Sequence, residues 1–326
     1  MFEDLRILLA GCGSVGKRHA RVLQQLGVKH LLACDPDQAQ LESLLLKNPT
    51  IKSCEAFSAG LSSEPDAVFI LTPPRLHVPM AIEAVSAGCH VFCEKPISDS
   101  LEGIDNLAAL AQERGKQVMI GLCFRFHEGI LKAKDLIDGR AIGRVISIRA
   151  LMGEHLPDVR PDYKSLFSSR YSGAFDLMHD LDLALWYANQ PVRSAKGLFG
   201  GYSDIGIDAP DLVEILIDFD DRCMATVHLD FFQRPRRRQI ELIGTEGVIC
   251  VEFARWDEYT VSLFKAGEAG WKNETCQTNR DSMFLAEDRA FLLSLNHGRE
   301  LSCGIEEACK SLRVILAIQH ETAKSR

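Results

Sequence analysis

Leu8-Leu9-Ala10-Gly11-Cys12-Gly13-Ser14-Val15-Gly16 reads as a strand, a glycine turn and a helix N-terminus, in that order. The order carries more weight than the glycines, because a lone G-x-G-x-x-G arises often by chance. An apolar run, Leu5 to Ala10, precedes the turn, and a helical pattern with Val15, Val22, Leu23 and Leu26 follows it. A second apolar run, Leu31 to Cys34, ends in Asp35, within the distance expected for an acid that binds a ribose. Gly11 permits the tight turn, Gly13 lets a pyrophosphate approach the backbone, and Gly16 lets helix and strand pack closely. The segment Gly11-Cys12-Gly13-Ser14-Val15-Gly16 is therefore expected to bind a dinucleotide, with the N–H groups of the helix start facing its phosphates. Asp35 would accept hydrogen bonds from the adenosine ribose and repel a 2′-phosphate. No Arg or Lys follows it closely (Pro36, Asp37, Gln38), so NAD is expected ahead of NADP.

The bulk properties narrow the class further. At 326 residues the chain is long enough for two domains, each with its own core. A composition of 46% hydrophobic and 25% charged residues is that of a soluble globular protein. A net charge of −8 argues against general nucleic-acid or membrane binding. The longest apolar runs are strand-sized, too short to span a bilayer. No basic, then apolar, leader is visible, and a cytoplasmic location is expected. The 11 cysteines include no C-x-x-C pair. Cys34, Cys93, Cys123 and Cys250 sit in apolar, strand-like runs and read as small buried hydrophobes in a reducing compartment. His155, Asp158, His179 and Asp180 lack ligand spacing, so no metal is expected.

Strand and helix patterns alternate through the first 120 or so residues, as a parallel sheet requires. A helix is expected near Gln38 to Lys47. The strand Ala67 to Leu71 ends in Thr72-Pro73-Pro74, and a helix from about His77 stops at Gly88. The strand Cys89 to Cys93 ends in Glu94-Lys95-Pro96. A helix from about Leu101 stops at Gly115, and Val118 to Leu122 closes this half. Beyond a helix near Ile130 to Ile137, strands follow one another directly: Val145 to Met152, Leu212 to Phe219, Cys223 to Phe232, Gln239 to Ile243, Val248 to Phe253 and Tyr259 to Phe264. This pattern predicts a large antiparallel or mixed sheet with helices on one face. Two helices end the chain. The expected division is a dinucleotide-binding domain at 1–121 and a substrate-binding and oligomerisation domain at 122–326.

Several segments together resemble the Gfo/Idh/MocA family. They are Gly11 to His19, Thr72-Pro73-Pro74-Arg75-Leu76-His77, Gly88 to Pro96, Gly121 to Phe126, and Gly173 to Asp182. The resemblance implies an N-terminal Rossmann domain and a C-terminal α/β domain with a large open sheet. It implies NAD(P)-dependent oxidation or reduction of a sugar, cyclitol or related polyol. It also implies a homodimer or homotetramer assembled through the open sheet faces. By the same resemblance Lys95 binds the reacting hydroxyl and helps manage its proton, with a Lys–Pro bond that is often cis. Thr72, Pro73 and His77 match a segment that lines the cofactor, although His77 could equally just start a helix. Glu94 is expected to support the cofactor or the turn.

Hydride transfer from a secondary alcohol needs a base for the hydroxyl proton, and the reverse needs an acid. Lys95 is the first candidate, at the end of an expected parallel strand where open α/β sheets place ligands. His179 and Asp176, three residues apart, are expected on one face of a helix, with Asp180 bordering it. Either Asp176 or Asp180 could be the active-site carboxylate. Arg125 could hold the substrate or the nicotinamide side, or form an interdomain salt bridge. Arg160, Tyr163, Arg170 and Arg234 are candidate substrate contacts, and with Arg236 they suggest an acidic or nucleotide-linked sugar. The competing reading is a silent NAD(P)-binding sensor of the same fold. The joint presence of Lys95, Asp176 and His179 argues against it.

Overall fold

The computed structural model of the chain describes residues 2–166, 173–297, 301 and 303–324. It divides into two units, Met1–Cys123 with Asp281–Leu312, and Phe124–Arg280 with Arg313–Arg326. The expected division sent everything after residue 121 to the second domain. Residues 281–312 cluster instead with the first unit.

The first unit alternates strand and helix. Its elements are β1 Arg6–Ala10, α1 Ser14–Gln25, β2 His30–Cys34, α2 Gln38–Lys47, β3 Lys52–Ser53, α3 Phe57–Leu61, β4 Ala67–Ile70, α4 His77–Ser86, β5 His90–Glu94, α5 Ile104–Arg114 and β6 Val118–Gly121. The strands form one parallel sheet in the order β3-β2-β1-β4-β5-β6. Every residue of β4 is buried, as a central parallel strand covered on both faces should be. The returning segment adds to this core. Ile120 N–H donates to Cys303 O at 2.8 Å, on the edge strand β6. Phe291 sets its ring edge against Phe69 and Phe92, at centroid distances of 5.5 and 5.7 Å.

The second unit holds α6 Glu128–Asp138, β7 Val145–His155, the short helices α7 Leu156–Val159 and α8 Tyr163–Leu166, and α9 His179–Ala188. Seven strands follow: β8 Val192–Gly200, β9 Leu212–Phe219, β10 Met224–Asp230, β11 Phe232–Gly244, β12 Gly247–Glu252, β13 Glu258–Lys265 and β14 Lys272–Gln277. Helix α10, Arg280–His297, and helix α11, Ile305–Lys324, end the chain. The sheet is mixed, in the order β14-β13-β12-β11-β7-β10-β9-β8, with β7 and β10 parallel and the other neighbours antiparallel. Strand β9 buries Val213, Ile215, Ile217 and Phe219 on one face and exposes Glu214 and Leu216 on the other. Strands β3, β8 and β14 were not expected from the sequence. Each lies at a sheet edge, where one neighbour suffices and little apolar alternation is needed. Strand β11 also begins earlier than expected, at Phe232. A register shift between Phe232 and Arg237 accommodates Pro235.

Candidate active site

Sheet register brings the first unit's sequence motifs to one edge. Ala10 pairs with Cys34 and with Ile70, and Ile70 pairs with Cys93. The residues that follow are Gly11, Asp35, Leu71-Thr72 and Glu94-Lys95. They stand at the carboxyl ends of four neighbouring strands, β2-β1-β4-β5. At roughly 4.8 Å per strand, Asp35 and Glu94 lie on the order of 14 Å apart along this edge. Open α/β sheets bind ligands at such an edge.

The glycine turn is built as a cradle. Gly11 has a φ of +106°, and a Cβ there would lie 2.5 Å from Leu71 O. A Cβ on Gly16 would lie 2.1 Å from Gly11 O, so the close approach of helix and turn requires glycine. A Cβ on Gly13 would meet nothing within 4 Å, so that position is open to a ligand. Gly13 caps α1 without a side-chain hydrogen bond, and the first turn carries no acid. Its backbone donors therefore suit phosphate. Cys12 turns its side chain into the core. Its N–H donates to Asp35 Oδ2 at 2.6 Å, and Asp37 N–H donates to Asp35 Oδ1 at 2.8 Å. An ionised carboxylate has about four acceptor sites, so ribose hydroxyls can still be accommodated. These residues fit a dinucleotide.

At the other end of the edge, Lys95 directly follows β5, and the Lys95–Pro96 bond is cis. Lys95 N–H donates to Glu94 Oε2 at 3.0 Å. His77 is buried, with Nε2 2.7 Å from Thr72 O and Nδ1 2.7 Å from Pro96 O. Burial pushes its pKa down, against the pull of the two carbonyls. The sequence reading placed His77 on the cofactor, or merely at a helix start. His77 is the first residue of α4, as the second alternative has it, and its ring faces the protein interior.

Behind Glu94 lies a group that the sequence reading missed. His19 is fully buried on α1, with Nδ1 2.9 Å from Asp288 Oδ1 and Nε2 3.3 Å from Glu94 Oε1. Burial opposes charge on His19, but Asp288 and Glu94 outweigh it and push the imidazole up to about 10. Glu287 is buried beside them. The available signal was Glu287-Asp288 set among Phe284, Leu285, Phe291 and Leu292, an acidic pair inside an apolar helix pattern.

In the second unit the expected active-site helix is in two pieces. Asp176 belongs to a 3₁₀ turn, Gly173–Leu177, and His179 begins α9. They do not share one face of a single α-helix. The His179 ring packs edge-on to Phe124 at 5.0 Å. Asp180, expected at the substrate, is fully buried and takes Arg238 through both oxygens, at 2.7 and 3.1 Å. Arg125 is likewise buried and forms a two-point pair with Asp182, at 2.7 and 2.8 Å. Both partners of this pair lie in the second unit.

The other candidate contacts have protein partners too. Tyr163 donates to Ile205 O at 2.8 Å. Arg160 is exposed, with Nε 4.0 Å from Asp162. Arg234 pairs with Asp158 at 2.8 Å and Arg236 with Glu154 at 3.0 Å. Arg170 lies outside the described residues. Among the described residues no cluster of three or more His, Cys, Asp or Glu could hold a metal ion, and no helix is long and apolar enough to cross a membrane.

A glycine cradle on a parallel sheet, with an acid after the second strand, defines a dinucleotide-binding protein of the Rossmann type. Comparison with known proteins takes the class to a family. A model described as "Oxidoreductase family, NAD-binding Rossmann fold" matches residues 5–122, and the GFO/IDH/MocA C-terminal domain matches residues 130–250. The chain belongs to the Gfo/Idh/MocA family and is an NAD(P)-dependent oxidoreductase. It is 26% identical over 304 residues to a levoglucosan dehydrogenase of Pseudarthrobacter phenanthrenivorans, covering 80% of this chain and 77% of that one. It is 28% identical over 202 residues to an inositol 2-dehydrogenase of Agrobacterium fabrum, covering 60% and 57%. An oxidoreductase from Agrobacterium radiobacter, solved with NAD+, L-tartaric acid and magnesium, shares the fold with a TM-score of 0.87. It is 19% identical, over 99% of this chain and 97% of that one.

Proposed function

We propose that this protein is an NAD-dependent dehydrogenase or reductase acting on a secondary alcohol of a neutral sugar or cyclitol. The observation that carries the reading is the placement of Glu94-Lys95 on the same strand-end edge as the glycine cradle and Asp35. The carboxylate of Asp35 favours NAD over NADP. The names of the levoglucosan and inositol relatives support a polyol substrate. Arg234, Arg236 and Arg238 each meet an acidic partner, which favours a neutral polyol over an acidic or nucleotide-linked sugar.

The turn from Gly11 to Gly16 would hold the pyrophosphate, with Cys12 bracing Asp35 through its N–H; Asp35 would hold the ribose, and Thr72, Pro73 and Glu94 the nicotinamide half. Bound NAD+ supplies the hydride acceptor. Lys95 Nζ donates to the reacting hydroxyl oxygen and stabilises the negative charge that grows there as the proton leaves. His179 is assigned as the proton acceptor, and Asp176 as the carboxylate that orients a substrate hydroxyl. In reduction the imidazolium returns the proton. The enzyme is read as a cytoplasmic homodimer or homotetramer, with the second unit, Phe124–Arg280 with Arg313–Arg326, supplying the substrate and assembly surfaces. A silent NAD(P) sensor is disfavoured by the joint presence of Lys95, Asp176 and His179.

Lys95→Ala tests the assignment. Turnover of a polyol by this variant should fall by at least about 100-fold, the lower range for loss of acid–base assistance. NADH affinity, read by fluorescence titration, should stay within about threefold, under 1 kcal/mol. Undiminished turnover in Lys95→Ala would sink the mechanism.

A further inference from the structure

One buried imidazole in the first unit lies between two carboxylates. His19, on α1 just after Gly16-Lys17-Arg18, is fully enclosed. Nδ1 lies 2.9 and 3.0 Å from the two oxygens of Asp288, and Nε2 lies 3.3 Å from Glu94 Oε1. Carboxylate oxygens accept, so an N–H on each ring nitrogen has an acceptor in place. A ring protonated at both nitrogens is a cation, and the surroundings suit one. Burial opposes the charge, but Asp288 and Glu94 outweigh it and push the imidazole up to about 10. Phe92, Phe69 and Phe284 enclose the ring at centroid distances of 5.0, 5.6 and 5.6 Å. Glu94 has a second contact, because its Oε2 accepts the Lys95 N–H at 3.0 Å. The contacts therefore run from Asp288 on α10, through His19, to Glu94 and the backbone of Lys95.

We propose that His19 is a positioning residue: donating to both carboxylates at once, it anchors Glu94, and Glu94 holds the backbone that carries the proton-handling lysine. The inference rests on the role proposed above for Lys95.

Side-chain length separates the two contacts. Asn places an amide N–H near the position of Nδ1, and Gln places one near Nε2. His19→Asn therefore keeps the Asp288 contact and releases Glu94, whereas His19→Gln keeps Glu94 and releases Asp288. The Asp288 side chain is 0% exposed and that of Glu94 13%. His19→Gln thus leaves the deeper carboxylate unpaired and should have the lower Tm of the two. It should nevertheless be the more active. With a polyol that the parent enzyme turns over, kcat of His19→Asn should lie about tenfold below that of His19→Gln. Exchange of the Lys95 amide, followed by NMR on the full chain, needs no substrate. It should rise by about tenfold in His19→Asn and stay near the parent rate in His19→Gln.

A merely structural histidine would make activity follow stability. Activity and Tm falling in the same order, or a Lys95 amide that responds equally in both variants, overturns the proposal. On the unsubstituted protein, ¹⁵N NMR at pH 8 should show both ring nitrogens of His19 protonated. A singly protonated ring overturns it even if both variants fail to fold. The outcomes stay distinct from those of the lysine test. Inactive Lys95→Ala with no amide difference between the two variants removes the role of His19 alone. Active Lys95→Ala with a clear amide difference removes the catalytic reading and leaves the anchor.

Discussion

Glu287 is fully buried, and neither carboxyl oxygen has a hydrogen-bond partner among the described residues. Burial pushes its pKa well above the ordinary 4.5, and Glu94 and Asp288 push the same way. It is held as a neutral acid, because an unpaired buried carboxylate is costly. Above pH 4.5 the folded chain therefore keeps a proton that the unfolded chain releases, and stability falls as pH rises through that window. His19 acts in the same direction. Its stabilisation is complete below the ordinary 6.5 and is lost as pH rises through about 10. Glu287→Gln keeps the shape and removes the ionisable proton. Its Tm should match the parent near pH 5 and exceed it at pH 9, as read by scanning calorimetry. Parallel Tm–pH curves would refute the assignment. The acidic pair Glu287-Asp288 was a visible signal, but its partner was not, because His19 and Asp288 are 269 residues apart and only folding makes them a pair.

Helix α9 is held by two charge pairs that its own sequence does not reveal. Asp180 and Asp182 fall in its first turn, where acids complement the helix dipole. Their carboxylates take Arg238 of β11 and Arg125 of the 3₁₀ turn Cys123–Phe126. Both pairs are buried, so each is costly to break from one side. Asp180→Asn leaves Arg238 without its counter-charge and should cost about 3–5 kcal/mol of stability. Urea unfolding measures this, and the KM for a polyol should stay near the parent value. A raised KM with unchanged stability would return Asp180 to the substrate. The existence of α9 was legible as an apolar stripe of Leu181, Leu185 and Ala188. The break before it was not, since Gly173 to Asp182 reads as one continuous helical segment. The edge strands β8 and β14 were illegible for a related reason. Short exposed strands bury no face and leave no period in the sequence.

The eight-stranded sheet exposes Leu198, Leu216 and Met224 on one face, at 71%, 44% and 47%. Register places them together: Lys196 lies opposite Leu216, and Leu216 opposite Thr226. This is the face proposed for self-association. Sedimentation velocity should report a dimer or tetramer, and Leu216→Lys should shift the distribution toward monomer. A monomeric parent protein would remove the assembly reading and leave the chemistry untouched.

The sequence by itself determined the dinucleotide half: strand, glycine turn, helix and Asp35 lie within 35 consecutive residues, and their chemistry depends on local backbone geometry. It also determined the order of the motifs along the chain and a large second sheet, antiparallel or mixed, whose one parallel pair, β7 with β10, only the structure shows. Tertiary structure alone decided which ionisable groups are spent inside. Asp180 could be read as a substrate carboxylate, and Arg125 as a ligand or as a salt-bridge former, because an acid or a base on a polar segment looks available until its partner is known. His77 could be read as a cofactor contact or as a helix start, because its place after Thr72-Pro73 is visible in the chain but the carbonyl of Pro96 beside its ring is not. Pairing across dozens of residues has no local signature, and burial then fixes whether a charge faces substrate or another side chain.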